Sequence, residues 1–228
     1  MYRSVLVFTG ASNSSFSEAV VLGATIIFRA NDGSKGHELW KSDGTTAGTV
    51  LLKGILAGAR SSRPQDFVVV GSTVYFSADN GTHGRELWKT DGTGSGTVTV
   101  KNIRAGSGNS SPTGMTAYGS YVYFSANDGS SGFELWRSDG TTTGTTLFQD
   151  IRSGSANPNP HDFVVSNGTL YSAARGTSVG EELFKSDGRE GRPGAMRAAC
   201  RDLRQRETPG TRKYRRFIRR RSATTLST

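Results

Sequence analysis

The 228-residue chain contains one cysteine, Cys200, which excludes an intrachain disulfide framework and a multi-cysteine metal site. Proline is scarce, at 6 residues. No apolar run reaches the length of a membrane helix. No apolar stretch of signal-peptide length follows Met1-Tyr2-Arg3-Ser4-Val5. The histidines, His37, His83 and His161, stand outside any spaced metal motif. His161 precedes Asp162, but a lone His-Asp neighbour pair is not a triad. GxSxG, P-loop and dinucleotide fingerprints are missing as well. The expectation is a protein that is not an enzyme and carries no cofactor.

Glycine, by contrast, is abundant at 30 residues, and much of it recurs at fixed turn positions. The formal net charge of +9 is also unevenly placed. Residues 189–228 hold 12 Arg and 1 Lys against 3 acids, a net +10, whereas residues 1–188 carry −1. The basicity therefore belongs to the last 40 residues, not to the chain as a whole.

A 48-residue unit accounts for the rest. Glu38-Leu39-Trp40-Lys41-Ser42-Asp43-Gly44-Thr45 returns 48 positions later as Glu86-Leu87-Trp88-Lys89-Thr90-Asp91-Gly92-Thr93. It returns again as Glu134-Leu135-Trp136-Arg137-Ser138-Asp139-Gly140-Thr141. The fourth copy, Glu182-Leu183-Phe184-Lys185-Ser186-Asp187-Gly188, departs at Arg189. Each unit offers four short β-rich runs, such as Phe67–Val70, Thr73–Ala78, Leu87–Trp88 and Val98–Lys101. Asn31-Asp32-Gly33, Asp79-Asn80-Gly81 and Asn127-Asp128-Gly129 are hairpin-loop sequences. Gly23, Gly71, Gly119 and Asn167 share one position, which predicts a positive-φ backbone there.

Apolar residues stand at consecutive strand positions, as in Val74-Tyr75-Phe76. Neighbouring strand residues face opposite sides, so both faces of each sheet should be covered. Small antiparallel sheets buried on both faces suit a β-propeller. The expected fold is all-β, a β-propeller-like array of four four-stranded blades over residues 1–188. It is either closed as four blades or part of a larger ring, and a non-repeat basic tail follows at 189–228. For closure, Val5-Leu6-Val7-Phe8 matches Lys101-Asn102-Ile103-Arg104 in phase and could complete the last blade.

The signature Glu-Leu-Trp-x-x-Asp-Gly-Thr resembles the bacterial ELWxxDGT repeat family over about residues 2–188. Phe184 and Arg189 depart from the pattern. The resemblance implies a hyalin-like, secreted or cell-surface repeat array with no catalytic residues to carry over.

Residues present in every unit are expected to serve the blade, because catalysis needs one constellation in one geometry. Glu38, Glu86, Glu134 and Glu182, with Asp43, Asp91, Asp139 and Asp187, could form repeated carboxylate sites for a cation such as calcium. The favoured reading gives them turn bonding and strand entry, since each Asn-Asp-Gly loop offers few carboxylates. Trp40, Trp88, Trp136 and Phe184 are read as inter-blade core rather than a ligand-stacking ring. Position 37 varies as His37, Arg85, Phe133 and Glu181, which suggests solvent exposure. Asn13, Asn80, Asn109 and Asn167 each open an Asn-x-Ser/Thr sequence, relevant only in a glycosylating pathway.

The tail, with Arg215-Arg216-Phe217-Ile218-Arg219-Arg220-Arg221, allows a phosphate-binding patch, a solvated extension or out-of-frame translation. The last is preferred, because the repeat stops in mid-motif at Gly188. The leading functional expectation is a non-catalytic scaffold for protein or glycan interaction. A nucleic-acid-associated protein acting through the tail and a propeller hydrolase or lyase are the alternatives.

Overall fold

A computed structural model describes residues 15–176, 180–188 and 197–198. The first sheet comprises β1 (Ser17–Leu22), β2 (Thr25–Asn31), β3 (His37–Ser42) and β4 (Val50–Lys53). The second comprises β5 (Gln65–Val70), β6 (Thr73–Asp79), β7 (Arg85–Thr90) and β8 (Val98–Lys101). The third holds β9 (Thr113–Tyr118), β10 (Tyr121–Asn127), β11 (Phe133–Ser138) and β12 (Thr146–Gln149). The fourth holds β13 (His161–Ser166), β14 (Thr169–Arg175), β15 (Glu181–Ser186) and β16 (Arg197–Ala198). Within each sheet the strands lie in chain order and pair antiparallel. The protein is thus all-β, with four four-stranded sheets in a propeller-like array. Among the described residues no helix is long and apolar enough to cross a membrane.

The register repeats with the sequence. Phe28, Phe76, Phe124 and Ser172 face Trp40, Trp88, Trp136 and Phe184 across the central strand pair. Alternation then divides each sheet between its two neighbours. In the second sheet, Val74, Phe76, Ala78 and Trp88 pack on Ile27, Leu39 and Leu52 of the first. Tyr75, Leu87 and Val100, from its other face, pack on Val122, Phe124, Ala126 and Trp136 of the third. Tyr123 and Leu135 repeat the arrangement against Leu170, Ala174 and Phe184. Both faces of the inner sheets are therefore buried, which is why their strands are apolar at consecutive positions. The signature aromatic is core in each of these interfaces. Trp40 packs with Phe28 and Ala30 in its own sheet.

Lysines add ties between sheets. The Lys41 and Lys89 ammonium groups donate to the Gly92 and Gly140 carbonyls in the next unit. The innermost strands pack in succession, β1 on β5, β5 on β9 and β9 on β13. Each begins with a bulge whose second residue has positive φ: Glu18, Asp66, Gly114 and Asp162. A bulge that bends the strand suits the crowded centre of an array, and an acidic residue there does not announce it.

Two expectations concern the ends of the array. Among the described residues, no packing of β13 on β1 comparable to these contacts closes a ring. Leu183 differs from the other motif leucines. Its equivalents Leu39, Leu87 and Leu135 are 0% exposed, while Leu183 is 48% exposed. Val5–Phe8, expected to complete the last sheet, lie outside the described residues, as does the arginine run 215–221. Among the described residues, the fourth strand of that sheet is the two-residue β16, paired through Phe184–Ala198 and Lys185–Arg197.

Candidate functional site

The repeated glutamate is the organiser of each inter-sheet connection. β3 places Glu38 wholly inside. Its carboxylate accepts backbone N–H bonds from Ile55 at 2.7 Å, Leu56 at 3.4 Å and Ser62 at 3.2 Å, and the Ser62 hydroxyl at 2.8 Å. Glu86 repeats this with Ile103, Arg104 and Ser110. Each glutamate thereby clamps the loop that carries the chain to the next sheet. Burial pushes both carboxyls above their ordinary range, against the pull of these bonds.

The third copy is incomplete. Glu134 accepts N–H bonds from Ile151 and Arg152. The residue in the place of Ser62 and Ser110 is Pro158, which has neither an N–H nor a hydroxyl. Burial pushes the Glu134 carboxyl up to about 7, with the charges of Asp150 and Asp128 adding to the shift. In the fourth copy Glu182 is half-buried and lies against Gly176.

The aspartates serve turns. Asp43, Asp91 and Asp139 accept from both the hydroxyl and the backbone N–H of Thr45, Thr93 and Thr141. Those hydroxyl and N–H bonds hold the three carboxyls below the usual range. The Asp187 carbonyl accepts the Tyr118 hydroxyl. Asp32 and Asp128 likewise bond N–H groups of their own loops. Among the described residues, no group of three His, Cys, Asp or Glu side chains is placed to hold a metal ion.

His161 lies 3.9 Å from Asp162 and 3.7 Å from Glu181 on the fourth sheet, and its Nδ1 meets the Asn159 carbonyl. The imidazole is thus bonded within its own loop and strand ends.

A cleft does break the repeat. It lies at the end of the array where the inter-sheet loops meet the hairpin loop after β6. Its volume is about 530 Å³, and Arg60, Arg63 and Arg85 line it with Asp79. Its framework is backbone: Arg63 N–H donates to the His37 carbonyl, Asp79 N–H to the Ser62 carbonyl and Ser111 N–H to the Arg85 carbonyl. The Glu38 clamp fixes the loop that carries Arg60 and Arg63. The Asn109 amide oxygen accepts Arg85 N–H at 2.7 Å.

Arg85 uses its guanidinium on neutral acceptors. Nη1 donates to the Arg63 carbonyl and to the Ser77 carbonyl and hydroxyl, and Nη2 to the Ser62 carbonyl. Burial pushes Arg85 below the ordinary arginine range, helped by the charges of Arg63 and Arg29, while Asp79 and Asp66 oppose the shift. Burial also lowers His37, as do Arg29 and Arg63. The corner is therefore crowded with positive charge.

Position 37 and its equivalents, expected to be exposed, need correction. His37, Arg85 and Phe133 are half-buried, and Glu181 alone is exposed. The position opens the third strand beside the inter-sheet loop, where a side chain has a wall to lie on. Its variability was the available signal for this cleft. Arg60 and Arg63 gave a second one, since they align with Gly108 and Ser111 in the next unit.

No protein-family model and no curated protein sequence matches the chain. Among solved structures, it is similar to the S511A mutant of puromycin hydrolase complexed with PGG at 15% identity and a TM-score of 0.49, covering 77% of this chain and 27% of that one. It is similar to TolB from Acinetobacter baumannii at 16% identity and a TM-score of 0.43, covering 74% of this chain and 39% of that one. An alpha-L-arabinofuranosidase from Clostridium thermocellum matches at 19% identity and a TM-score of 0.31, over 73% of this chain and 66% of its own. The chain thus spans well under half the length of the first two.

Proposed function

We propose that this chain is a non-catalytic repeat scaffold that binds another protein or a glycan through its loop end. We further propose that it belongs with the ELWxxDGT arrays of secreted or cell-surface proteins. The observation that carries the reading is the division of labour among polar groups. The repeated acids are spent internally, Glu38 and Glu86 on inter-sheet loops and Asp43, Asp91 and Asp139 on turns. Arg60, Arg63 and Arg85, which differ from their equivalents in the other units, meet at the loop-end cleft. Such a pattern suits recognition on a rigid frame rather than a reaction centre. The finer architecture we propose is an array that continues beyond the fourth sheet, because the Leu183 face is built like three buried faces and is exposed.

Two measurements test this. Protease treatment of intact cells of the source organism should remove the protein; protection until lysis would contradict the surface assignment. The full chain should bind defined glycans or surface proteins without changing their length or linkage. Turnover of any such ligand would overturn the non-catalytic reading.

A further inference from the structure

We propose that the Arg60–Arg63–Arg85 cleft binds the oxyanion, carboxylate or sulfate, of an acidic oligosaccharide. This rests on the scaffold reading and names its ligand class.

Three features carry it. The first is unspent charge. Arg60 and Arg63 are exposed, and neither side chain makes a hydrogen bond or ion pair among the described residues. Arg85 is bonded to carbonyls and a hydroxyl only, so its charge is not neutralised by direct pairing. Planar guanidiniums lining one cleft suit a planar or tetrahedral oxyanion.

The second is uniqueness. The next unit places Gly108, Ser111 and Phe133 at these positions, and the last places Ala156, Asn159 and Glu181. The first unit has Ser12, Ser15 and His37. A structural role common to the fold would recur with the repeat, and this cluster does not. The backbone does recur: Arg63 and Ser111 share a positive φ, 47° and 46°. The arginine is thus not required by the local conformation.

The third is the rest of the lining. Ser61, Asn109, Ser111 and the Asp79 carboxylate share the cleft with the arginines. These groups match hydroxyls beside one anionic group, which is the pattern of an acidic sugar. No aromatic side chain lines the cleft, so there is no stacking platform for bases.

The test is calorimetric titration of the full chain with three probes: oligogalacturonate, a sulfated heparin oligosaccharide and a neutral cellooligosaccharide. Acidic probes should bind, with affinity falling as salt rises, and the neutral probe should not. Binding of oligogalacturonate would show that a carboxylate suffices, whereas binding of the heparin oligosaccharide alone would assign the site to sulfate. The R60A/R63S double variant should weaken binding by about tenfold or more. Both residues are exposed, and the serine reproduces the next unit, so the fold is retained. Asp79→Asn should strengthen binding by about threefold, by removing a negative charge from the cleft. The turn tolerates asparagine, because Asn31 and Asn127 occupy that position and accept the same glycine N–H bond. The basic C-terminal segment is identical in all three proteins. Binding unchanged in R60A/R63S would assign it to that segment and overturn the proposal. Equal binding of the neutral probe, or no binding of either acidic probe, would overturn it while leaving a protein-binding scaffold standing.

Discussion

The second unit and the two that follow it share a strand plan but not its quality. In the second unit Glu86 is clamped by three N–H groups and a hydroxyl, and Leu87 is sealed between sheets. In the third, Pro158 withdraws an N–H and a hydroxyl from Glu134. In the fourth, Glu182 is half-buried and Leu183 is nearly half exposed. An unchanged motif therefore does not mean an unchanged environment. The motif glutamate depends on a partner 24 residues away, as Glu38 and Glu86 do on Ser62 and Ser110. The motif leucine depends on a whole neighbouring sheet.

The sharpest way to break this comparison is to delete the clamp. Glu86→Ala strands the buried N–H groups of Ile103 and Ser110 and should cost about 3–5 kcal/mol. Glu134→Ala should cost less, about 1–3 kcal/mol, because its carboxyl holds fewer bonds and titrates near neutrality. Urea unfolding at pH 7 measures both. Equal losses would mean that the Pro158 difference has no energetic consequence.

Next comes the leucine. Leu87→Ala opens a cavity between two sheets and should cost about 2–4 kcal/mol. Leu183→Ala removes a half-exposed side chain and should cost under about 1 kcal/mol. Similar losses would show that the fourth sheet is covered in solution.

Pro158→Ser restores the missing donors and gives a pH signature. Glu134 has a folded pKa near 7 against an ordinary value of 4.5, so the folded state holds its proton more tightly than the unfolded chain. Stability from this group is full below about pH 4.5 and declines as pH rises towards 7, by no more than about 3 kcal/mol. Glu38 and Glu86 are also shifted upward and contribute with the same sign. The introduced serine should favour the charged carboxylate, flatten this decline and add about 1–2 kcal/mol at pH 8. Unfolding midpoints at pH 5 and pH 8 report the slope. A slope unmoved by the substitution would detach the shift from Pro158.

Much of the frame was legible in residues. Consecutive apolar positions such as Val74-Tyr75-Phe76 announced sheets covered on both faces, and the strands fall where the β-rich runs stand. The clamp was not legible, because nothing in Glu86 or Ser110 alone says that the chain returns across two strands and their loops to bring them together. The cleft was half legible. Position 37 varied, as binding positions do, but variation alone could not separate a half-buried wall from a solvated surface. Arg60 and Arg63 carried no motif, and the structure sets them beside Arg85. The bulges at Glu18, Asp66 and Asp162 were hidden, since acidic residues do not advertise positive φ as glycine does.

The smallest effect concerns a place where the later units have drifted without loss. Gly23, Gly71 and Gly119 have φ of 58°, 60° and 63°, and Asn167 follows them at 48°. No atom lies within 4 Å of a Cβ built on Gly71, so strain rather than collision decides what fits. Gly71→Val should cost about 1–2 kcal/mol, because a branched side chain opposes the left-handed backbone. Gly71→Asn should cost about 0.5 kcal/mol, since asparagine tolerates that conformation. Thermal unfolding of the two variants separates them. If asparagine cost as much as valine, Asn167 would join Pro158 as a debilitating departure. If it costs little, the fourth unit is weakened by its exposed face alone, and its turn remains as sound as that of the second.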